Sequence, residues 1–107
     1  MDSILVSTKK YLGIDEAYNN FDETIIMAIN TAFSSLSQLI NQESTSYKIV
    51  DSSNTWDEYT DDTTLLGFVK TYIFLKTRIL FDPPASSFAL EALERTTKEL
   101  EWRISIL

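Results

Sequence analysis

Apolar residues recur at three- and four-residue steps along much of the chain, most densely from Leu65 to Pro84. Leu65, Phe68, Tyr72, Leu75 and Ile79 form one row at helical spacing. Leu66, Val69, Ile73 and Leu80 form a second row beside it, and Phe74 adds a third direction. Only a narrow polar strip of Gly67, Lys70, Thr71, Thr77 and Arg78 remains. A helix apolar over most of its circumference must be surrounded by other elements. The pattern therefore predicts a central core helix of about 16 residues, roughly 24 Å long at 1.5 Å per residue. Its expected core positions are Leu65, Phe68, Val69, Tyr72, Ile73, Leu75, Ile79 and Leu80. Lys70, Lys76 and Arg78 interrupt the run too often for a membrane span. Asp82, Pro83 and Pro84 stop the helix, because Pro83 biases Asp82 out of helical conformation.

Helix signals frame this element on both sides. Ile4 and Leu5 with Tyr11 and Leu12 give a short amphipathic helix, which Gly13 is placed to end in a left-handed cap. Lys9 and Lys10 sit where a cation meets the negative end of the helix dipole. After a polar connection, Phe21-Asp22 opens a second helix, with Asp22 as N-cap and Phe21 stapled onto Ile26. Ile26, Ile29, Phe33, Leu36 and Ile40 form its apolar row, flanked by Ile25, Ala32 and Leu39, while Asn30, Ser34, Ser37 and Asn41 lie off it. A helix of this length packs along the central one.

From Asn41 to Asp62 the pattern loosens. A polar break at 41–46 leads into Tyr47-Lys48-Ile49-Val50, a β-prone run too brief for a sheet of its own. Asp51-Ser52-Ser53-Asn54 is turn composition. Thr55 and Glu58 are spaced as a capping box opening one turn that carries Trp56 and Tyr59. Asp61 or Asp62 then caps the central helix. Beyond Pro84, Ser86 or Ser87 caps the last helix, with Asp82-Pro83 a second possible start. Leu90, Leu93, Thr97, Leu100, Ile104 and Leu107 form its seam. Glu91–Arg95, Glu94–Lys98, Arg95–Glu99 and Glu99–Arg103 are spaced to pair, each contributing about 0.2–0.5 kcal/mol. The expected fold class is all-α: a small bundle of about four helices around a central apolar helix, with an irregular loop between the second and central helices. No repeat or linker interrupts it, so residues 1–107 read as a single domain.

Composition narrows the chemistry. With 107 residues, 44% of them hydrophobic and 12% aromatic, the chain suits one modest folded core. There is no cysteine and no histidine. The first absence removes disulfides and thiolate metal sites; the second removes the commonest general base and metal ligand. A net charge of −7 disfavours coating nucleic acid or binding anionic lipid, since both need clustered cations. Met1-Asp2-Ser3 is no basic leader and no apolar run follows, so the expected setting is a cytosol-like interior.

Candidate sites are few. Asp51, Asp57, Glu58, Asp61 and Asp62 invite a calcium reading. An EF-hand loop from Asp51 would need Gly where Trp56 stands and Glu where Asp62 stands. Caps and a solvated loop explain these acids better, as they explain Asp15, Glu16, Asp22 and Glu23. Asp82 is the best candidate for a buried acid, and its helix-stop role is the simpler account. No phosphate-binding or nucleophile motif occurs, so no catalytic, metal or cofactor residue is expected. Trp56, Tyr59, Phe68, Tyr72 and Phe74 lack interleaved cations and read as core rather than a stacking platform. Trp102 differs. It lies off the seam beside Arg103, near Ile104-Ser105-Ile106-Leu107. An apolar tip needs cover, either a partner or its own core beside Leu12 or Phe33. Trp102, Arg103, Ile104, Ile106 and Leu107 are the candidate partner contacts, with 101–107 as the extension that carries them.

One resemblance runs through most of the chain in order. It is carried by Lys10-Tyr11-Leu12-Gly13-Ile14, by Phe21-Asp22 with Ile25, Ile29 and Asn30, and by Thr55-Trp56. It continues through Val69-Lys70-Thr71-Tyr72-Ile73-Phe74-Leu75-Lys76 into Leu80-Phe81-Asp82-Pro83-Pro84, then Ser86-Ser87-Phe88 and Glu99-Leu100-Glu101-Trp102-Arg103. These residues resemble the small head–tail connector (adaptor, or head-completion) proteins of tailed bacteriophages. One departure is Ile40-Asn41 after Gln38-Leu39, where the family pattern has a glycine. The resemblance implies a structural virion protein, made in the host cytoplasm and located at the neck. It implies a homo-oligomeric ring, dodecameric in expectation, between the portal protein and the stopper or tail-completion protein. DNA would be channel cargo only, with no membrane and no cofactor. The alternative reading is a small acidic helical binding or regulatory module of a phage. A carboxylate-dependent enzyme is a further rival, but nothing in the pattern places two carboxylates in an apolar pocket and no enzyme is expected.

Overall fold

The computed structural model describes residues 2–39 and 47–107. Among the described residues there are five helices and no strands: α1 (Ile4–Leu12), α2 (Asp22–Leu39), α3 (Trp56–Tyr59), α4 (Thr63–Phe81) and α5 (Ser87–Ser105). The fold is an all-α bundle, and the one helix beyond the expected four is the single turn α3 around Trp56. Ile40 and the polar break at 41–46, including the departure from the family pattern, lie outside the described residues.

The central helix is α4, with α1, α2 and α5 all packed against it. It is 19 residues long, one turn more than its apolar rows require, because Asp62 caps it well ahead of Leu65. The Asp62 carboxylate accepts the Thr64 and Leu65 amides at 3.0 and 3.1 Å. Asp82 ends the helix, donating its own amide to the Arg78 carbonyl at 2.9 Å. Val69, Tyr72 and Ile73 are fully buried against Ile25, Ile29, Ala32, Phe33 and Leu36 of α2, with Ile4 and Leu5 of α1 and Ile104 of α5. Leu75 and Ile79, expected in the core, are only half-buried, and two positions depart further from the expected rows. Thr77, placed on the polar strip, is buried, while Leu80, placed in the core, is 46% exposed. The inward line steps by four through Val69, Ile73, Thr77 and Phe81, and Leu80 stands one residue off it. The Thr77 hydroxyl has no hydrogen-bond partner.

On α2 the inward line is Ile25, Ala28, Ile29, Ala32, Phe33 and Leu36, with Ile26 only half-buried. Asp22 is the first helical residue rather than the cap. The Phe21 carbonyl accepts the first helical bond, from Ile25 at 2.9 Å, and the Asp22 carboxylate pairs with Lys9 Nζ at 2.8 Å. Phe21 packs edge-on against Phe81, centroids 5.6 Å apart, so the start of α2 meets the end of α4 and the two run antiparallel.

Gly13 ends α1 at φ 81°, as expected, and Ser3 caps its start by accepting the Val6 amide at 3.2 Å. α1 is tethered to the region of α3. Ser3 bridges Thr55, the Ile4 amide donates to the Asn54 carbonyl at 3.0 Å, and the Trp56 amide donates to the Asp2 carbonyl at 3.2 Å. The Trp56 indole adds a bond to the Ser7 hydroxyl at 2.9 Å. Ser86 caps α5, accepting the Ala89 amide at 3.3 Å, and the Asp82-Pro83 start is not used. Thr97 and Ile104 are the buried points of its seam, and Leu107 is exposed. Of the four expected charge pairs only Glu99–Arg103 closes among the described residues, at 3.3 Å.

Candidate partner-contact site

The register of α5 decides what its end presents. Thr97 and Ile104 face inward, Leu100 packs against the core, and Glu101 receives the Tyr72 hydroxyl at 3.0 Å. Burial, then the Glu101 charge beside it, pushes the Tyr72 phenol well above its ordinary pKa, so this bond is made by a neutral phenol donating to a carboxylate. Positions 97, 100, 101 and 104 thus form one face, and 102 and 103 must point away from it. Trp102 is 62% exposed, Ile106 and Leu107 each 63%. Arg103 is also outside, reaching back to Glu99. Ile104, grouped with these residues by sequence, lies at 1% exposure in the subunit's own core. The candidate set therefore divides into four outward residues and one inward.

A second rigid feature escaped the sequence pattern. Asn30 behaves as a peptide group would: its Nδ2 donates to the Ile49 carbonyl at 3.0 Å, and its Oδ1 accepts the Ile49 amide at 2.8 Å. The β-prone run Tyr47–Val50 finds its hydrogen-bond partner in a helix side chain rather than in a strand. Ile49 is buried, whereas Val50 is 74% exposed. Asn54 Oδ1 accepts the Val50 amide at 2.8 Å and fixes the far side. Below this knuckle lies an aromatic cluster. Phe33 meets Tyr47 and Tyr59 with centroids 5.1 Å away in each case, and Trp56 lies edge-on to Phe74 at 5.8 Å. The aromatics expected in the core are there.

The acids of residues 51–62 brace this region. Asp51 accepts from the Ser53 hydroxyl and amide, which hold its carboxyl below the usual range. Glu58 accepts from Asn54, from Tyr47 and from the Thr55 amide, and is likewise lowered. The Tyr47 phenol, partly desolvated and bonded to Glu58, is pushed up to about 12. Among the described residues no group of three or more His, Cys, Asp or Glu is placed to hold a metal ion.

The comparison with protein families settles what kind of protein carries these surfaces. The family model described as phage connector protein matches residues 4–107. The chain belongs to the phage connector protein family. Comparisons with curated proteins and with solved structures gave no match. As a phage connector the protein has a structural role in the virion and works through contacts with other virion proteins. No helix among the described residues is long and apolar enough to cross a membrane. In a connector, contact surfaces are the functional sites.

Lys9 is a further residue that sequence reading missed. It is 2% exposed, with Nζ 2.8 Å from Asp22 and donating to the Glu16 carbonyl at 3.0 Å. It locks the connector's α1–α2 turn instead of meeting solvent at a helix end. Its aliphatic stem fills core space while its head finds two oxygens.

Proposed function

We propose that this connector is a ring-forming adaptor, joining the portal at the capsid vertex to the stopper or tail proteins and extending the DNA channel. The last turn of α5 is the portal contact. The observation that carries this reading is the outward group Trp102, Ile106 and Leu107, each more than 60% exposed, on the last turn and just past the end of a helix held in register by Ile104 and Glu101. Trp102, presented on an already ordered helix, loses little further entropy when a partner covers it. Trp and Arg are also the residue types enriched at interface hot spots. The ring is a homo-oligomer, expected to be dodecameric, and DNA is its cargo. A net charge of −7 leaves few cations for phosphate to bind, so DNA slides past instead of sticking. No catalytic residue or cofactor enters this role.

The test is Trp102→Ala in the full chain, mixed with the portal protein of the same phage. The expected result is an unchanged melt and a portal affinity weakened about 30-fold, the equivalent of roughly 2 kcal/mol for a hot-spot truncation. Portal binding at the wild-type level would remove the tip from the interface. A wild-type chain that fails to bind portal at every salt concentration would end the adaptor reading. Cutting the chain after Glu101 is the poorer experiment, because it also deletes the core residue Ile104.

A further inference from the structure

The charges of this chain are segregated. No Lys or Arg occurs from Ile49 to Val69, where five acids stand, and no Asp or Glu occurs from Thr63 to Phe81. Two surfaces stand out against that background. The first is the knuckle described above. Val50 projects from it, with exposed Lys48 on one side and exposed Asp51 on the other, on a base fixed by Asn30 and Asn54. The second is an open groove of about 260 Å³ between α4 and α5, lined by Lys76, Ile79, Glu94, Thr97, Lys98 and Glu101. Among the described residues Lys76, Glu94 and Lys98 form no ion pair within the subunit.

We infer that the Val50 knuckle of one copy seats in the α4–α5 groove of the next, and that this contact closes the ring. The inference rests on the adaptor reading and names the surface it leaves unspecified. The groove offers the half-buried Ile79 among two lysines and two glutamates. The knuckle offers one aliphatic side chain with a cation and a carboxylate beside it, so both signs find partners. The two surfaces belong to different elements of the same chain, and a contact between unlike patches is head-to-tail. Such a contact generates a ring when its rotation closes, whereas like-with-like patches stop at a dimer. The knuckle is already ordered by four hydrogen bonds to Asn30 and Asn54, which lowers the cost of seating it.

The chain contains no cysteine, so paired cysteines report proximity without background. The experiment mixes full-length Val50→Cys and Lys98→Cys variants under mild oxidation, alone and with portal. Val50→Cys mixed with Phe88→Cys is the control, since Phe88 is 80% exposed and lies outside both surfaces. A docked pair reacts at an effective concentration of millimolar order, so the first mixture should link at least about tenfold faster than the control. A chain carrying both Val50→Cys and Lys98→Cys should give a ladder of linked oligomers. Rings that assemble with no excess of linking over the control would overturn this interface and leave the adaptor reading standing. A wild-type chain that forms no oligomer, alone or with portal, would overturn both.

Discussion

Replacing Asn30 by Ala removes both hydrogen bonds that hold Ile49. The Ile49 side chain is 1% exposed, and its amide and carbonyl are satisfied by Asn30 alone among the described residues, at 2.8 and 3.0 Å. A desolvated backbone group left without a partner costs about 1–3 kcal/mol. Both bonds are only part-buried, so water recovers some of that, and the pair is worth roughly 2–4 kcal/mol. That is a large share of the 5–15 kcal/mol typical of a small domain. With an unfolding entropy near 2.1 cal/mol/K per residue, the melting temperature should fall by about 9–18 °C. Circular dichroism measures the melt, and hydrogen exchange at the Ile49 amide measures the local effect. The expected pattern is a lower midpoint together with lost protection at Ile49. A variant that melts with wild type and keeps that amide protected would refute the reasoning, because it would mean the knuckle stands without its clamp.

Two other outcomes follow from the same contacts. Lys9→Ala strands the Asp22 carboxylate and the Glu16 carbonyl. Breaking a buried pair costs about 3–5 kcal/mol, and the lower end applies because Asp22 is partly solvated, so urea denaturation should show a large drop, most of which Lys9→Met, which keeps the stem but loses the ammonium, should share. The pH dependence has a defined sign. Tyr47 is raised to about 12 and Tyr72 is raised as well, so the fold favours neutral phenols over an unfolded value near 10. The stability they contribute is complete below about pH 10 and is lost as pH rises from there toward 12. Tyr47→Phe should flatten the alkaline fall in melting temperature over that window, and an identical fall would contradict the assignment.

Periodicity made the large elements legible. α4 is apolar on nearly every side and could only be central; Gly13, Asp82 and the Ser86 cap are local signals that act within a few residues. The misplacements have a shared cause. Lys9 reads as a dipole cation because nothing in its own helix reveals that Asp22 will stand 2.8 Å from its ammonium. Thr77 reads as polar surface and Leu80 as core because hydropathy ignores which side the neighbours occupy. Ile104 and Trp102 are two residues apart and both apolar. Only the docking of α5 through Glu101 and Tyr72 sends one inward and the other out. The Asn30 clamp spans 19 residues and joins a helix side chain to an extended backbone, a pairing no amphipathic pattern encodes.

The tether between α1 and Trp56 bears on how the chain is born. α1 is nine residues long, well under the dozen or more that an isolated helix needs to persist. Its tether to the Trp56 indole lies 49 residues downstream of Ser7. At synthesis rates of about 5–20 residues per second, that partner is made roughly 2–10 s later. α4, against which α1 and α2 bury their apolar faces, follows later still. For that interval Ile4, Leu5, Ile25 and Ile29 have only the partial cover that α1 and α2 give each other. A nascent chain stalled before Trp56 is therefore the form expected to be most exposed to chaperone capture or aggregation.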